Sequence, residues 1–381
     1  MRRKLAINRL RERADLGPEL VAQFVERYRS PIIEGQNATF LFLGHADEVF
    51  VRHRVVGLPD PLPMKRIGET DLWAATCDLP AGSRVEYQLE TRRGDHYERF
   101  NDPLNERVAH SPMGSSSVCA GEGYHVPSWA VPDPETRPGD LIEHRMRSKA
   151  LRREQQMLIY TPARFNPVLR YPLLIVHDGP EYVQFSAMKT VLDNLIHRLD
   201  IAPMIVAFVP PHDRLREYAN NAPHARFLAR ELLPMLEEAY PLVESPLGRC
   251  LMGASFGGVA SVTTGVRYPG VFGSMLIQSA SLAFTDIGQD HGGGPAFDPV
   301  VKFVNRYRAK PTRFTERLYM SCGIYEPLIT PNRSMVSVFR EVGITVKYEE
   351  NRDGHNWDNW RDRLQSGLSW LYPGPQKYVY E

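Results

Sequence analysis

The sequence predicts a two-part protein: a small all-β sandwich followed by a larger α/β domain with a mostly parallel sheet. Two patterns predict it. Residues 37–118 carry short β-rich runs divided by Gly, Pro and Asp, and from Leu141 onward apolar strands alternate with helical patterns. Length agrees, because 381 residues exceed what one ordinary domain holds. The composition, 43% apolar and 24% charged, suits packed cores rather than disorder.

Taken in order, residues 4–29 read as helix. Leu10, Leu20, Val21, Phe24 and Tyr28 recur at about helical spacing, with a break at Gly17-Pro18. Arg2, Arg3, Lys4, Arg9, Arg11 and Arg13 give a basic face, read as solvated, with contact to an anionic partner as the alternative. Strands are expected over 38–43, 49–56, 72–78 and 84–90, with turns at 57–60, 80–82 and 93–95. This is the pattern of an immunoglobulin-like sandwich. Asn101-Asp102-Pro103-Leu104-Asn105 is turn-rich, and the prolines between 127 and 140 suggest a stiff linker. The expected division is therefore 1–140 and 141–381.

In the second part, strands are expected over 157–161, 173–176, 204–209, 249–252, 274–278, 317–321 and 345–349. Helices are expected over 186–199, 225–240, 256–267, 332–342 and 358–371. The run at 173–176 is wholly apolar, as a strand buried on both faces should be.

Several function classes lose support. With 46 basic and 45 acidic residues, the net charge of +1 makes no global case for nucleic acid or an anionic membrane. No run of about 18 apolar residues suggests a membrane span. Charges interrupt the first residues too often for an export signal, so the cytoplasm is the expected compartment. The four cysteines, at 77, 119, 250 and 322, form no CxxC pair and signal neither zinc nor a disulfide framework; Cys250 and Cys322 read as core.

The chemistry centres on Gly253-Ala254-Ser255-Phe256-Gly257, which fits G-x-S-x-G between an apolar strand and a helix. That context marks a nucleophile elbow: flanking glycines let strand and helix approach while the serine occupies a strained turn. Serine needs a base to attack. His355, in Asp353-Gly354-His355-Asn356-Trp357, follows the last strand and precedes the last helix, which singles it out among twelve histidines. Glu326 lies after the strand before that one, where an orienting acid belongs. Asp286 and Asp353 compete for that place, and a Ser-His dyad is a further alternative. Phe256 should supply one oxyanion N–H. The loop His177-Asp178-Gly179-Pro180-Glu181 should supply another, and since proline has no N–H, Gly179 is the candidate, with Glu181 behind it.

These residues place the second part in the α/β-hydrolase fold, and it resembles the esterase D-like branch. More closely, the chain resembles the enterochelin (enterobactin) esterase family. The resemblance rests on HDGPEY (177–182), DRLREY (213–218), GASFGGVAS (253–261), FGSMLIQSAS (272–281), GIYEPLITPN (323–332) and DGHNWDNWRDRL (353–364), in this order. TDLWAATCDLP (70–80) and NDPLN (101–105) extend it into the first part. It implies a serine esterase acting on a catecholate siderophore, with Ser255, His355 and Glu326 catalytic. It also implies that Arg214 and Arg216 face the substrate, while Tyr325, Trp357 and Trp360 offer flat walls to aromatic acyl groups, with core packing the alternative for each. No cofactor or metal is required, and iron would arrive inside the small-molecule substrate. The alternative is a carboxylesterase on feruloyl or acetyl esters. A binding-module reading, with Trp73 and Tyr87 stacking on a sugar, is the outsider. The Gly-rich stretch 285–297 is a candidate lid.

Overall fold

The computed structural model describes residues 4–284 and 294–375. They form two compact units. The first comprises residues 1–125 together with 323–326 and 351–356; the second comprises 126–322, 327–350 and 357 onward.

The first unit opens with helices Ala6–Arg11 and Pro18–Arg27, divided where Gly17-Pro18 suggested. Their apolar faces, through Ile7, Leu10, Val21 and Phe24, pack on Leu41, Leu72 and Ala74. Two antiparallel sheets follow. One has the order Ile32–Glu34, Asn37–Leu43, Leu72–Asp78, Lys65–Arg66. The other runs Leu62–Pro63, Glu48–His53, Arg84–Arg93, Gly114–Ala120, Val108–Ser111, and His96–Phe100 also pairs with Arg84–Arg93. Alternate residues of both sheets, including Phe40, Val51, Trp73, Tyr87 and Leu89, share one core, as two-residue periodicity requires. Trp73 and Tyr87 are therefore buried, at 8% and 1% exposure, and cannot stack on a sugar. Tyr87 instead donates its hydroxyl to Asp102, a buried carboxylate that also accepts from Ser30 and anchors the turn at 101–105.

The second unit is built on an eight-stranded mixed sheet. Its order is Asp140–Ser148, Arg153–Thr161, Ile205–Val209, Leu173–His177, Arg249–Ala254, Ser274–Gln278, Arg317–Gly323, Thr345–Asn351. The strands from Ile205–Val209 to Arg317–Gly323 pair in parallel, and the first three pair antiparallel. Leu173 and Ile175 point into one core with Phe227, Val259 and Phe339; Leu174 and Val176 point into another with Leu192, Trp360 and Leu368. Helices thus cover both faces, which explains the uninterrupted apolar central strands.

Three details lie beyond the sequence reading. In the stretch 127–140, expected as a stiff linker, Trp129 and Ala130 are buried among Val191, Leu192 and Leu195, and Asn194 donates to the carbonyls of Trp129 and Val131. The strand Asp140–Ser148 escapes sequence reading because it is a charged, largely exposed edge. The helices expected over 225–240 and 358–371 are interrupted, the first by a π-turn at Leu228–Leu232 and the second between Trp357–Arg361 and Leu364–Leu371.

Candidate active site

In the second unit, the strand Arg249–Ala254 ends at Ser255 and the helix Phe256–Arg267 begins at once. Ser255 takes φ 55 and ψ −121, a conformation costly for any residue with a Cβ. Its surroundings hold it there. Its N–H donates to the Gln278 carbonyl at 2.9 Å, and its own carbonyl accepts from Ser281 N–H at 3.0 Å and Gly258 N–H at 3.1 Å. The glycines answer to close contact. A Cβ on Gly253 would lie 2.5 Å from the Gly257 carbonyl carbon, and one on Gly258 would lie 2.7 Å from Ala280 Cβ. The Ser255 hydroxyl is 3.1 Å from that of Ser281, and the residue is 9% exposed. Ser281 was not anticipated, although it closes the FGSMLIQSAS segment.

Phe256 and Gly179 each begin a helix, so neither N–H has an acceptor within its own helix. Gly179 lies so close to the strand Ile205–Val209 that a Cβ would come within 2.4 Å of Phe208 backbone. Pro180 follows in the first turn of Gly179–Phe185, where the missing N–H breaks no helical bond.

Asp178, at φ 52 and buried, binds Arg214 through both oxygens, each 2.8 Å from a guanidinium nitrogen. Arg214 Nη2 also approaches the Ala254 carbonyl at 3.5 Å. That fork fixes the guanidinium next to the strand end that leads into Ser255. Arg216, on the same short helix Arg214–Tyr218, is exposed, and its N–H is capped by Asp213. Beneath lie His177 and His224, both fully enclosed with Tyr218. Burial pushes the His177 imidazole down to about 4 despite its bond to the Met252 carbonyl, and pushes His224 well below the ordinary range. Both are neutral structural groups. Trp357 packs edge-on to Tyr182 at 5.2 Å and Trp360 at 4.8 Å.

In the first unit, Glu326 is 1% exposed and His355 remains accessible. His355 Nδ1 lies 2.5 Å from Glu326 Oε2, and Glu326 Oε1 accepts from Gly323 N–H at 2.9 Å. Asp353 is committed elsewhere: its Oδ1 accepts from Gly354 N–H and Asn356 Nδ2, each at 2.7 Å, and faces Arg84 Nη1 at 3.5 Å. Burial raises its carboxyl to about 7 although Arg84 acts to lower it. Tyr325 shares a 2.6 Å hydrogen bond with the Ser83 hydroxyl. Asp286 and most of the 285–297 stretch lie outside the described residues. Among the described residues no group of three or more His, Cys, Asp or Glu could hold a metal ion, and no helix is long and apolar enough to cross a membrane.

Comparison with known proteins bears on this arrangement. The family described as "putative esterase" matches residues 148–371, more than half of the chain. The chain belongs to this family. The esterase is a carboxylic ester hydrolase, and its relatives extend beyond the matched region. It is 25% identical over 333 residues to the iron(III) enterobactin esterase of Escherichia coli K12, spanning 81% of each chain. The crystal structure of the enterobactin esterase from Shigella flexneri in the presence of enterobactin superposes with a TM-score of 0.71 at 23% identity. That match covers 88% of this esterase and 92% of the other chain. A ferulic acid esterase structure matches at a TM-score of 0.53 and 19% identity, covering 62% of this esterase and 99% of its own chain. The resemblance to enterochelin esterases, and the α/β-hydrolase fold of the second unit, therefore stand on independent matches.

Proposed function

We propose that this esterase hydrolyses ester bonds of a catecholate siderophore of the enterobactin kind, through Ser255, His355 and Glu326. The observation that carries the mechanism is the His355–Glu326 contact. A proton on Nδ1, donated to the buried carboxylate, leaves the Nε2 lone pair free to act as base. In this reading Nε2 takes the Ser255 proton as Oγ attacks the ester carbonyl. The oxyanion is met by the N–H groups of Phe256 and Gly179. Collapse of the intermediate expels the alcohol, which His355 protonates, and leaves an acyl-serine that water hydrolyses by the same steps. Glu326, carrying charge throughout, stabilises the imidazolium.

The substrate follows from several supports. The relatives that match most of the chain are enterobactin esterases, whereas the ferulic acid esterase covers only 62% of it. Fixed Arg214 and exposed Arg216 suit an anionic ferric catecholate. The faces of Trp357 and Tyr325 suit its aromatic acyl groups. Iron is cargo in this reading, released in the cytoplasm, and the protein itself needs no cofactor. The reading also takes residues 1–140 as an immunoglobulin-like sandwich domain with its linker and 141–381 as the catalytic domain.

Two assays test it. Ser255→Ala should abolish hydrolysis of p-nitrophenyl acetate; retained turnover removes the nucleophile. Enterobactin, its iron complex and methyl ferulate should be compared at equal concentration. Turnover of methyl ferulate with neither siderophore form cleaved moves the substrate class to feruloyl or acetyl esters.

A further inference from the structure

We propose that Arg84, on a strand of the first unit's sheet, is the positioning residue that holds the His355 loop in its working geometry. The inference rests on the catalytic reading of His355 given above. Arg84 is 2% exposed, an unusual site for a charge, and its guanidinium is met by polar partners. Nη1 donates to Asn356 Oδ1 at 2.9 Å and faces Asp353 Oδ1 at 3.5 Å, while Nη2 donates to Glu86 at 2.9 Å. Asn356 and Gly354 both donate to the same Asp353 oxygen. The two chain neighbours of His355 are thus locked into one network whose cation comes from 272 residues earlier in the chain.

The backbone adds to the mount. Arg84 N–H donates to the Arg352 carbonyl at 2.8 Å, and Arg352 Nη1 donates to the Ala81 carbonyl at 2.7 Å. The acid is fastened from the same segment. Ser83 bonds the hydroxyl of Tyr325, the residue before Glu326, and Tyr325 N–H donates to the Asp353 carbonyl at 3.1 Å. Residues 81–84 therefore grip both loops of the His355–Glu326 pair. A strand paired on both sides is a firmer support than a surface turn. A planar guanidinium fits the role because it fixes two partners in one plane, which a lysine ammonium does not. Charge pairing by itself gives no reason for this choice, since a buried ion pair adds little stability over apolar residues of similar volume.

The test uses the full chain and p-nitrophenyl acetate. Arg84→Met should lower kcat at least tenfold with KM within about twofold, because a displaced base slows chemistry rather than binding. Labelling of Ser255 by an organophosphate should slow in parallel. Leu89→Ala, in the sandwich core of the same strand, should lower Tm and leave kcat within about twofold of the unaltered protein. Asn356→Ala, which leaves Arg84 its two acidic partners, should reproduce the kcat loss and decides the matter if Arg84→Met does not fold. Wild-type kcat in a folded Arg84→Met or in Asn356→Ala overturns the proposal, as does an equal kcat loss in Leu89→Ala. If Ser255→Ala is inactive in the same assay while Arg84→Met is not impaired, the positioning role alone has failed.

Discussion

Glu326 and Asp353 are two buried carboxylates two loops apart, and their surroundings give them different work. Glu326 meets the His355 ring and a backbone N–H; Asp353 meets a guanidinium, an amide and a backbone N–H. Glu326→Gln, which keeps shape and removes charge, should cut kcat by roughly 10²–10⁴ while leaving Tm nearly unchanged. Steady-state kinetics beside thermal melts check this. Ser255, His355 and Glu326 stand out in the sequence as candidates because chain order and local motif mark them. Ser281, Asp178 and Arg84 were not, because each touches its partner across a long stretch of chain and no local pattern announces such a pair.

At the scale of elements, the elbow is a tightly constrained piece of backbone in the second unit. Gly253 faces Gly257 backbone with no room for a methyl group. Gly253→Ala should therefore destabilise the fold by about 2–3 kcal/mol by urea denaturation and remove activity with it. By contrast, Gly17→Ala, where nothing lies within 4 Å of the added Cβ, should leave activity intact. Strand legibility followed burial. The central strands read clearly because both faces are apolar, while Asp140–Ser148 presents an exposed edge whose sequence is mostly charged and polar.

For the molecule as a whole, buried titratable groups set the pH range of stability from two sides. His177 and His224 are held neutral by burial, so the unfolded chain binds protons that the folded chain refuses. Stability is then present above pH 6.5 and falls as pH drops toward about 4. His224→Phe should flatten that acid limb in melts between pH 4 and 7. Asp353 acts oppositely: its raised carboxyl favours the folded state while protonated, an advantage lost as pH rises through about 7. Asp353→Asn should accordingly gain Tm relative to the unaltered protein as pH increases from about 4 to 7 and then level off, and a flat difference across pH 4–7 contradicts the assignment.

The sequence by itself marked a serine elbow in an α/β domain, and a histidine and an acid in later loops as its candidate partners. Periodicity and short motifs are local properties, written wherever the chain is buried or sharply turned. Only the tertiary structure decided which acid meets His355, that Arg214 is clamped by Asp178, that Trp73 and Tyr87 are core, and that residues 81–84 grip the loops that carry Glu326 and His355. Each of these is a contact between residues far apart in the chain, and such contacts exist only once the chain has folded.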